Sequence, residues 1–254
     1  MTRSKLHSSP LVLVTNDDGV ESPGLRALAA ALGSLGDVWV VAPVREMSAC
    51  SHSLNLHPPS RAERISPQVF AVEGTPADCV GVALFKLLRR RPDLVLSGIN
   101  WGANLAEDVF YSGTVAGARE ATLAGLPSIA VSLTSREASD FDPAARFAVD
   151  LARRVLESGL PERTLLNVNV PPGSPTEVAV TYQGRREHEG LIFESLDARR
   201  RTAAWLTEGA RASEPTGMSD LFAIRQGLVS VTPLQTDTTN HAVLAALRRW
   251  KWKG

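Results

Sequence analysis

Two neighbouring carboxylates, Asp17 and Asp18, follow the β-prone run Leu11–Thr15 and precede Gly19. At the end of a buried strand such a pair repels itself and resists leaving water, unless a cation or strong donors compensate. A hard divalent cation suits it, because carboxylate oxygens are the ligands such ions prefer. The alternative is that one aspartate caps the following helix while the other is solvated.

Three more polar clusters follow strand-like runs. Ala42 to Ser53 is crowded with hydroxyls, Ser48, Ser51 and Ser53 among them, which can ligate a cation, bind phosphate or simply cap a loop. Ser97 to Asn104 carries Gly98 and Gly102, which permit close backbone approach, and Asn100 and Asn104, which offer neutral carbonyl oxygens. Tyr111-Ser112-Gly113-Thr114 opens a small-residue helix, whose first N–H groups and two hydroxyls make either an anion cradle or an ordinary cap. His52 and His57 lie in loops and read as exposed side chains.

Familiar phosphate motifs do not fit. Gly19 to Gly24 has the outer spacing of a P-loop, but Leu25 and Arg26 stand where Lys and Ser/Thr are required. No GxGxxG follows the first strand, so a dinucleotide is unsupported. Adjacent carboxylates diverge in an extended chain, unlike the spaced pair an aspartyl-phosphate phosphatase needs.

Buried strands are expected at Leu11–Thr15, Val38–Ala42, Val69–Val72, Leu94–Leu96, Ser128–Ser132 and Leu165–Val170. Helices are expected from Pro23 to Gly33, Ala77 to Arg90, Thr114 to Ala124 and Pro143 to Ser158. This alternation predicts an α/β, Rossmann-like, mostly parallel sheet with helices on both faces, whose ligands sit at the carboxyl ends of the strands. That core is assigned to residues 1–172. Residues 173–254 read as a β-rich extension with strands at Val178–Tyr182, Leu221–Ile224 and Leu228–Thr232. A loop from Glu208 to Ser219 and a last helix from about Asn240 to Trp250 complete it.

Composition narrows the function. The 254 residues are 44% hydrophobic, and 27 Lys and Arg balance 27 Asp and Glu, which excludes disorder and a broad field for nucleic acid or an acidic membrane. Any bound anion must be held locally. Arg89-Arg90-Arg91 reads as a solvated helix end, Asp237 and His241 as a structural pair, and Trp250 and Trp252 as the edge of the last helix. Cys50 and Cys79 form neither a disulfide framework nor a zinc site by themselves and read as free thiols. The polar segment Met1–Pro10 and the short run after it make no secretory signal, and no run approaches the ~18 apolar residues of a membrane span. A soluble cytoplasmic protein is expected.

Together the loops resemble the SurE family of metal-dependent 5′/3′-nucleotidases. The resemblance is carried, in the family's order, by Thr15 to Gly19, Ala42-Pro43 through Ser48, Gly74 to Val80, Ser97 to Asn100 with Gly102 and Asn104, and Tyr111 to Val115. Val231 to Leu234 with Thr236-Asp237 is a weaker echo. The resemblance implies a phosphomonoesterase that hydrolyses nucleoside monophosphates, with one divalent metal ion, Mg²⁺ or Mn²⁺, on Asp17, Asp18, Ser48 and Asn100. Asp17 or Asp18 would orient the attacking water, and Asn104, Ser112, Gly113 and Thr114 would bind phosphate. It also implies a homodimer or homotetramer formed through the C-terminal arm. A broader phosphatase that takes short polyphosphates, and a nucleotide-binding module without hydrolysis, are the alternatives. Met47, Ala49 and Trp101 depart from the common pattern; they alter the rim of the site and leave the four ligands intact.

Overall fold

The computed structural model describes residues 9–57, 59–188, 191–196, 202–207, 210–212 and 217–252. In chain order the elements are β1 (Leu11–Thr15), α1 (Pro23–Leu32), β2 (Asp37–Pro43), β3 (Ala62–Ser66), β4 (Val69–Val72), α2 (Pro76–Val82), β5 (Leu94–Trp101), α3 (Asp108–Tyr111), α4 (Gly113–Leu123), β6 (Ser128–Leu133), α5 (Asp142–Ser158) and β7 (Thr164–Val170). There follow β8 (Val178–Val180), β9 (Arg186–His188), β10 (Leu191–Leu196), β11 (Thr202–Thr207), β12 (Ala210–Ala212), α6 (Asp220–Arg225), β13 (Val229–Gln235) and α7 (His241–Leu247).

Nine strands form one sheet in the order β3-β4-β2-β1-β5-β6-β7-β13-β8. β4, β2, β1, β5, β6 and β7 run parallel, while β3 and β13 pair antiparallel with β4 and β7. The chain leaves β1 toward β2 on one side and later returns through β5 on the other. Strand order therefore reverses between β1 and β5, which is where an open α/β sheet binds its ligand.

Period-two alternation puts the core on both faces. In β1, Val12 and Val14 join Leu25 and Leu28 of α1 and Ala144 and Ala148 of α5, whereas Leu13 joins Cys79 and Val80 of α2 and Ala121 of α4. This two-sided burial explains why the strand reads as an unbroken apolar run. α1 starts sharply: Ser22 accepts from the Leu25 N–H, and Pro23 pre-sets the first turn.

Several expectations shift. Leu221–Ile224 is not a strand but the centre of α6; Ser219 caps it by accepting from the Phe222 N–H, and a short apolar run does not by itself separate strand from helix. The helix expected from Ala77 to Arg90 starts at Pro76 in a Thr75–Asp78 capping box, passes through one π turn at Ala83–Leu87 and stops where Leu88 becomes extended. Arg90 and Arg91 are not simply solvated. Arg90 donates to Asp93 and to the Ser9 carbonyl, each at 2.8 Å, and Arg91 donates to the Ala124 carbonyl. β3 has no counterpart in the reading because every residue of this edge strand is exposed.

β8 and β13, both past residue 172, lie in the same sheet as the core, while β9 with β12 and β10 with β11 form separate two-stranded sheets. Ala210–Ala212, inside the expected Glu208–Ser219 loop, is a strand; residues 208–209 and 213–216 of that loop, and residues 1–8 of the N-terminal segment, lie outside the described residues. The last helix is shorter than expected and buries none of its residues. No helix among the described residues is long and apolar enough to cross a membrane.

Gly24 shows how closely the first helix seats on the central strand. A Cβ there would lie 2.1 Å from the Ile99 carbonyl oxygen and 3.1 Å from the Phe141 ring. Gly24→Ala is expected to lower the urea midpoint by the equivalent of about 1–3 kcal/mol; an unchanged midpoint would show that α1 moves off β5 at no cost.

Candidate functional site

The Asp17-Asp18 turn, the loop carrying Ser48, the end of β5 and the start of α4 meet at the carboxyl edge around the β1–β5 gap. Asp17 is 4% exposed, and its Oδ1 accepts from the Thr114 hydroxyl at the start of α4. Its carbonyl accepts from the Met47 N–H at 2.7 Å, which brings the Ser48 loop against the carboxylate pair. Asp18 is half-buried, and its Oδ2 accepts from the Trp101 N–H at 3.2 Å, which puts Asn100 beside it. Asn100 donates its amide to the Gly102 carbonyl at 2.8 Å. Ser48 is exposed and donates to Glu46 at 2.8 Å. Exposure thus grades from buried Asp17 to open Ser48, as a site entered from solvent requires.

Asn16 holds the turn from below. Fully buried, it donates to the Gly19 carbonyl at 3.0 Å and to the capping Ser22 hydroxyl at 2.8 Å. Its own Oδ1 is buried with no hydrogen-bond partner. The aspartate pair is therefore tied to the start of α1 through Asn16 and to the start of α4 through Thr114.

The expected phosphate residues take distinct places. Ser112 caps α4, accepting from the Val115 N–H at 3.0 Å. Gly113 packs so closely that a Cβ would lie 2.7 Å from the Asp17 Cβ and 2.9 Å from the Cys50 Sγ. The Thr114 hydroxyl is directed to Asp17. Asn104 is deeper: its N–H and carbonyl bond to Asn169 and Asn167, and its amide donates to Ser132 at 2.8 Å. It braces the loop after β5, with part of its donor capacity already used.

Gly74 to Asp78 does not enter the cluster but pins it. Asp78 accepts from the Asn55 N–H at 3.0 Å, and Thr75 donates to the Ser53 carbonyl at 2.7 Å. Ser51, which binds the Tyr111 and Phe110 carbonyls, fastens the same loop to α3. Ala49 and Ser51 adopt φ of 56° and 55°, the left-handed region, so Ala49 occupies a conformation that glycine enters without steric cost. His52 contacts Glu120 at 2.8 Å. Asp237 and His241 form the expected structural pair, also at 2.8 Å.

Sequence reasoning missed Asp220, Arg136 and Glu46. Asp220 is fully buried and accepts from the N–H groups of Ala106, Gly184 and Leu221, fastening the loop that carries Asn104 to the base of the arm. The Ser219-Asp220 pair before Leu221 was the available signal, as a helix start. Arg136 and Glu46 act on Asp18 by charge, in opposite directions. Glu46 lies within the Ala42 to Ser48 stretch without being singled out there, and Arg136 lies outside the recognised motifs.

Burial dominates the electrostatics. It pushes Asp17 up to about 6 from 3.8; hydrogen bonds, chiefly from Thr114, oppose this, and the neighbouring Asp18 charge adds to it. Asp18 is also raised, first by burial, against the hydrogen bond from Trp101. Burial holds the Cys50 thiol up at about 11, with the Asp17 charge next, so it is not a thiolate nucleophile at neutral pH. Among the described residues no cluster of three or more His, Cys, Asp or Glu side chains could hold a metal. The donors gathered here are two carboxylates with a hydroxyl and an amide oxygen, a hard set suited to Mg²⁺-like ions. A cation would supply the compensation that buried Asp17 lacks.

Doubly wound topology, a carboxylate pair at the switch point and a capped helix start beside it define an α/β protein whose polar loops converge at the carboxyl edge of the sheet. Comparison with known proteins carries this further. A family model described as survival protein SurE matches residues 12–190, and the chain belongs to the SurE family. The 5′-nucleotidase SurE of Geobacter metallireducens is 51% identical over 244 residues, covering 94% of this chain and 96% of that protein. The one from Geotalea uraniireducens is 50% identical, covering 94% and 98%. The crystal structure of the SurE protein from Aquifex aeolicus is similar with a TM-score of 0.85 at 42% identity, covering 94% of this chain and 98% of that one.

A carboxyl whose pKa is higher in the folded than in the unfolded chain stabilises the fold while protonated, and loses that contribution as pH rises through the folded value. For Asp17 the window runs from 3.8 to about 6. Metal-free Asp17→Asn protein is therefore expected to be more stable than metal-free wild type at pH 8, by on the order of 2–3 kcal/mol. The gap closes toward pH 4. Thermal denaturation in EDTA at both pH values checks this; a variant less stable than wild type at pH 8 would refute the desolvated-anion reading.

Proposed function

We propose that this protein is a metal-dependent 5′-nucleotidase, hydrolysing nucleoside monophosphates to nucleoside and phosphate. The observation that carries the reading is the buried Asp17 beside Asp18, hydrogen-bonded to the first turn of α4: a cation site and an anion cradle sharing one residue contact. The 5′-nucleotidase relatives, about half identical over nearly the whole chain, support the same activity.

Asp17, Asp18, Ser48 and Asn100 are the residues assigned to hold one divalent ion, with Mg²⁺ or Mn²⁺ as the expected metal. When bound, such an ion polarises the phosphoryl group and makes water a better nucleophile at neutral pH. The chain's own groups do the rest. Thr114 and the Trp101 N–H each fix one carboxylate oxygen, leaving the second oxygen of Asp17 and of Asp18 as candidate ligand and as acceptor for the attacking water. Ser112, which accepts the Val115 N–H, keeps its own hydroxyl proton to donate, and the Gly113 end of α4 favours negative charge at the non-bridging oxygens. Asn104 keeps the loop after β5 in place and is assigned to the phosphate neighbourhood through it. Asp17 and Asp18 are the assigned catalytic pair.

The enzyme is placed in the cytoplasm and works as a homodimer or homotetramer. Exposed Val243, Trp250 and Trp252 at the C-terminal end support contact with another copy.

Purified protein, assayed on a panel of nucleoside 5′- and 3′-monophosphates with Mg²⁺, Mn²⁺ or EDTA, is expected to release phosphate only with metal. Asp17→Asn is expected to remove most of the rate, about 100-fold or more, while far-UV circular dichroism stays unchanged. A folded Asp17→Asn protein with full turnover, or release insensitive to EDTA, would overturn the metal assignment. No release from any nucleotide would overturn the activity.

A further inference from the structure

Asn104 is assigned to the phosphate neighbourhood, yet in the arrangement described above the end of its amide left over is an acceptor. Its main chain cannot adjust. The N–H donates to the Asn169 Oδ1 at 2.8 Å, and the carbonyl accepts from the Asn167 amide at 2.8 Å and from the Asn169 amide at 3.0 Å. The side-chain torsions are what remains free to turn. One end of the Asn104 amide, Nδ2, meets the Ser132 Oγ at 2.8 Å. The other, Oδ1, has no hydrogen-bond partner among the described residues and is not sealed from solvent. An acceptor in that place repels an anion.

The Ser132 end is equally unsatisfied. Ser132 is fully buried in β6, and among the described residues the Asn104 amide is the one hydrogen-bond contact of its hydroxyl. While Nδ2 donates, the Ser132 hydrogen has no acceptor, and a buried O–H left without one costs free energy. Turning the amide by half a revolution corrects both ends. The contact stays, because a hydroxyl both donates and accepts. Ser132 then donates to Oδ1, and the NH2 group faces outward with two hydrogens.

Ser132 stands where such a turn reaches the site. Its Cα partner in the β5–β6 register is Asn100, an assigned metal ligand, and in the β6–β7 register it is Asn169. Ala130, two residues earlier on the same face of β6, packs with Val115 and Ala118 of α4. The Asn104 turn is also joined to the cap of α4 through one residue. The Leu105 N–H donates to the Asp108 Oδ2 at 3.3 Å, and the Asp108 carbonyl accepts from the Ser112 N–H at 2.9 Å.

We propose that Ser132 is a positioning residue for phosphate binding: its hydroxyl holds the Asn104 amide with the NH2 group turned to a phosphoryl oxygen. The inference rests on the nucleotidase reading and adds to it the group that orients Asn104. Ser132 acts through Asn104 and touches neither substrate nor metal.

The test titrates inorganic phosphate into Mn²⁺-loaded protein by calorimetry, beside KM and kcat for adenosine 5′-monophosphate. The proteins compared are wild type, Ser132→Ala, Ser132→Cys, Asn104→Ala and the double variant Ser132→Ala with Asn104→Ala. In Ser132→Ala the phosphate Kd and the KM are both expected to rise about 3- to 10-fold, with kcat changed less. Ser132→Cys, which fills the same space with a weak donor, is expected to behave alike. Without the Asn104 side chain, removing the Ser132 hydroxyl is expected to weaken phosphate no further. Mn²⁺ affinity in the absence of phosphate is expected to stay as in wild type. Circular dichroism shows which variants fold, and Ser132→Cys carries the same comparisons if Ser132→Ala does not. The inference is overturned by a wild type that binds no phosphate or by phosphate affinity unchanged in the folded Ser132 variants. A loss that recurs in full in the Asn104→Ala background, or one explained by weaker Mn²⁺ binding, overturns it too. The expected pattern of phosphate binding in a wild type that hydrolyses no nucleotide would uphold the positioning role and overturn the nucleotidase reading instead.

Discussion

Desolvating a carboxylate beside a second one is the constraint around which this molecule is arranged. Asp17 cannot be buried as an anion on its own account, and the structure answers with donors drawn from distant parts of the chain. Thr114 reaches the carboxylate from the start of α4, while the Met47 N–H donates to the Asp17 main-chain carbonyl and ties the turn to the next loop. Each donor requires its own element to arrive at the β1–β5 gap, so the parallel sheet, the two helix starts and the 47–55 loop are all positioned by a problem that begins at one side chain. The remaining deficit of positive charge is what makes the place receptive to a cation.

Rigidity at the site comes from hydrogen bonds between loops more than from the core beneath. Asn16 joins the aspartate turn to the cap of α1, Asp78 and Thr75 hold Asn55 and Ser53, and Ser51 takes the carbonyls of α3. All but the first of these bonds join segments more than twenty residues apart, so local loosening of one loop is felt by the others. The core supplies a different service. Its two apolar faces, split by the alternation in β1, fix the heights at which the strands end and hence where the polar turns meet.

Much of this was legible in the chain. β1 and α1 announced themselves, because a strand buried on both faces is continuously apolar and a Ser-Pro pair marks a helix start. Asp17, Asp18, Ser48, Asn100 and Ser112 stood out because they follow such strands or open such a helix. What stayed hidden has physical causes. β3 has no buried residue to write a pattern. Leu221–Ile224 is too short for its period to decide between strand and helix. Whether Thr114 faces a ligand or Asp17 depends on a contact across 97 residues, and local spacing does not encode it. Asp220 looked like one more loop acid until its three backbone donors were assembled around it.

The neck of the arm carries a consequence for how much chain length it tolerates. Tyr182 and Ser219 form an isolated bridge, Tyr182 accepts from the Asp220 N–H at 3.0 Å, and Thr181 bonds Ser230 and Thr232 of β13. The two ends of the excursion between them are thus already joined by the sheet. The entropy of closing that loop grows only slowly with its length. Residues can be gained or lost beyond the neck with little change to the sheet or the switch point. Buried Asp220, where the excursion returns to the sheet, pins this neck to the loop that carries Asn104.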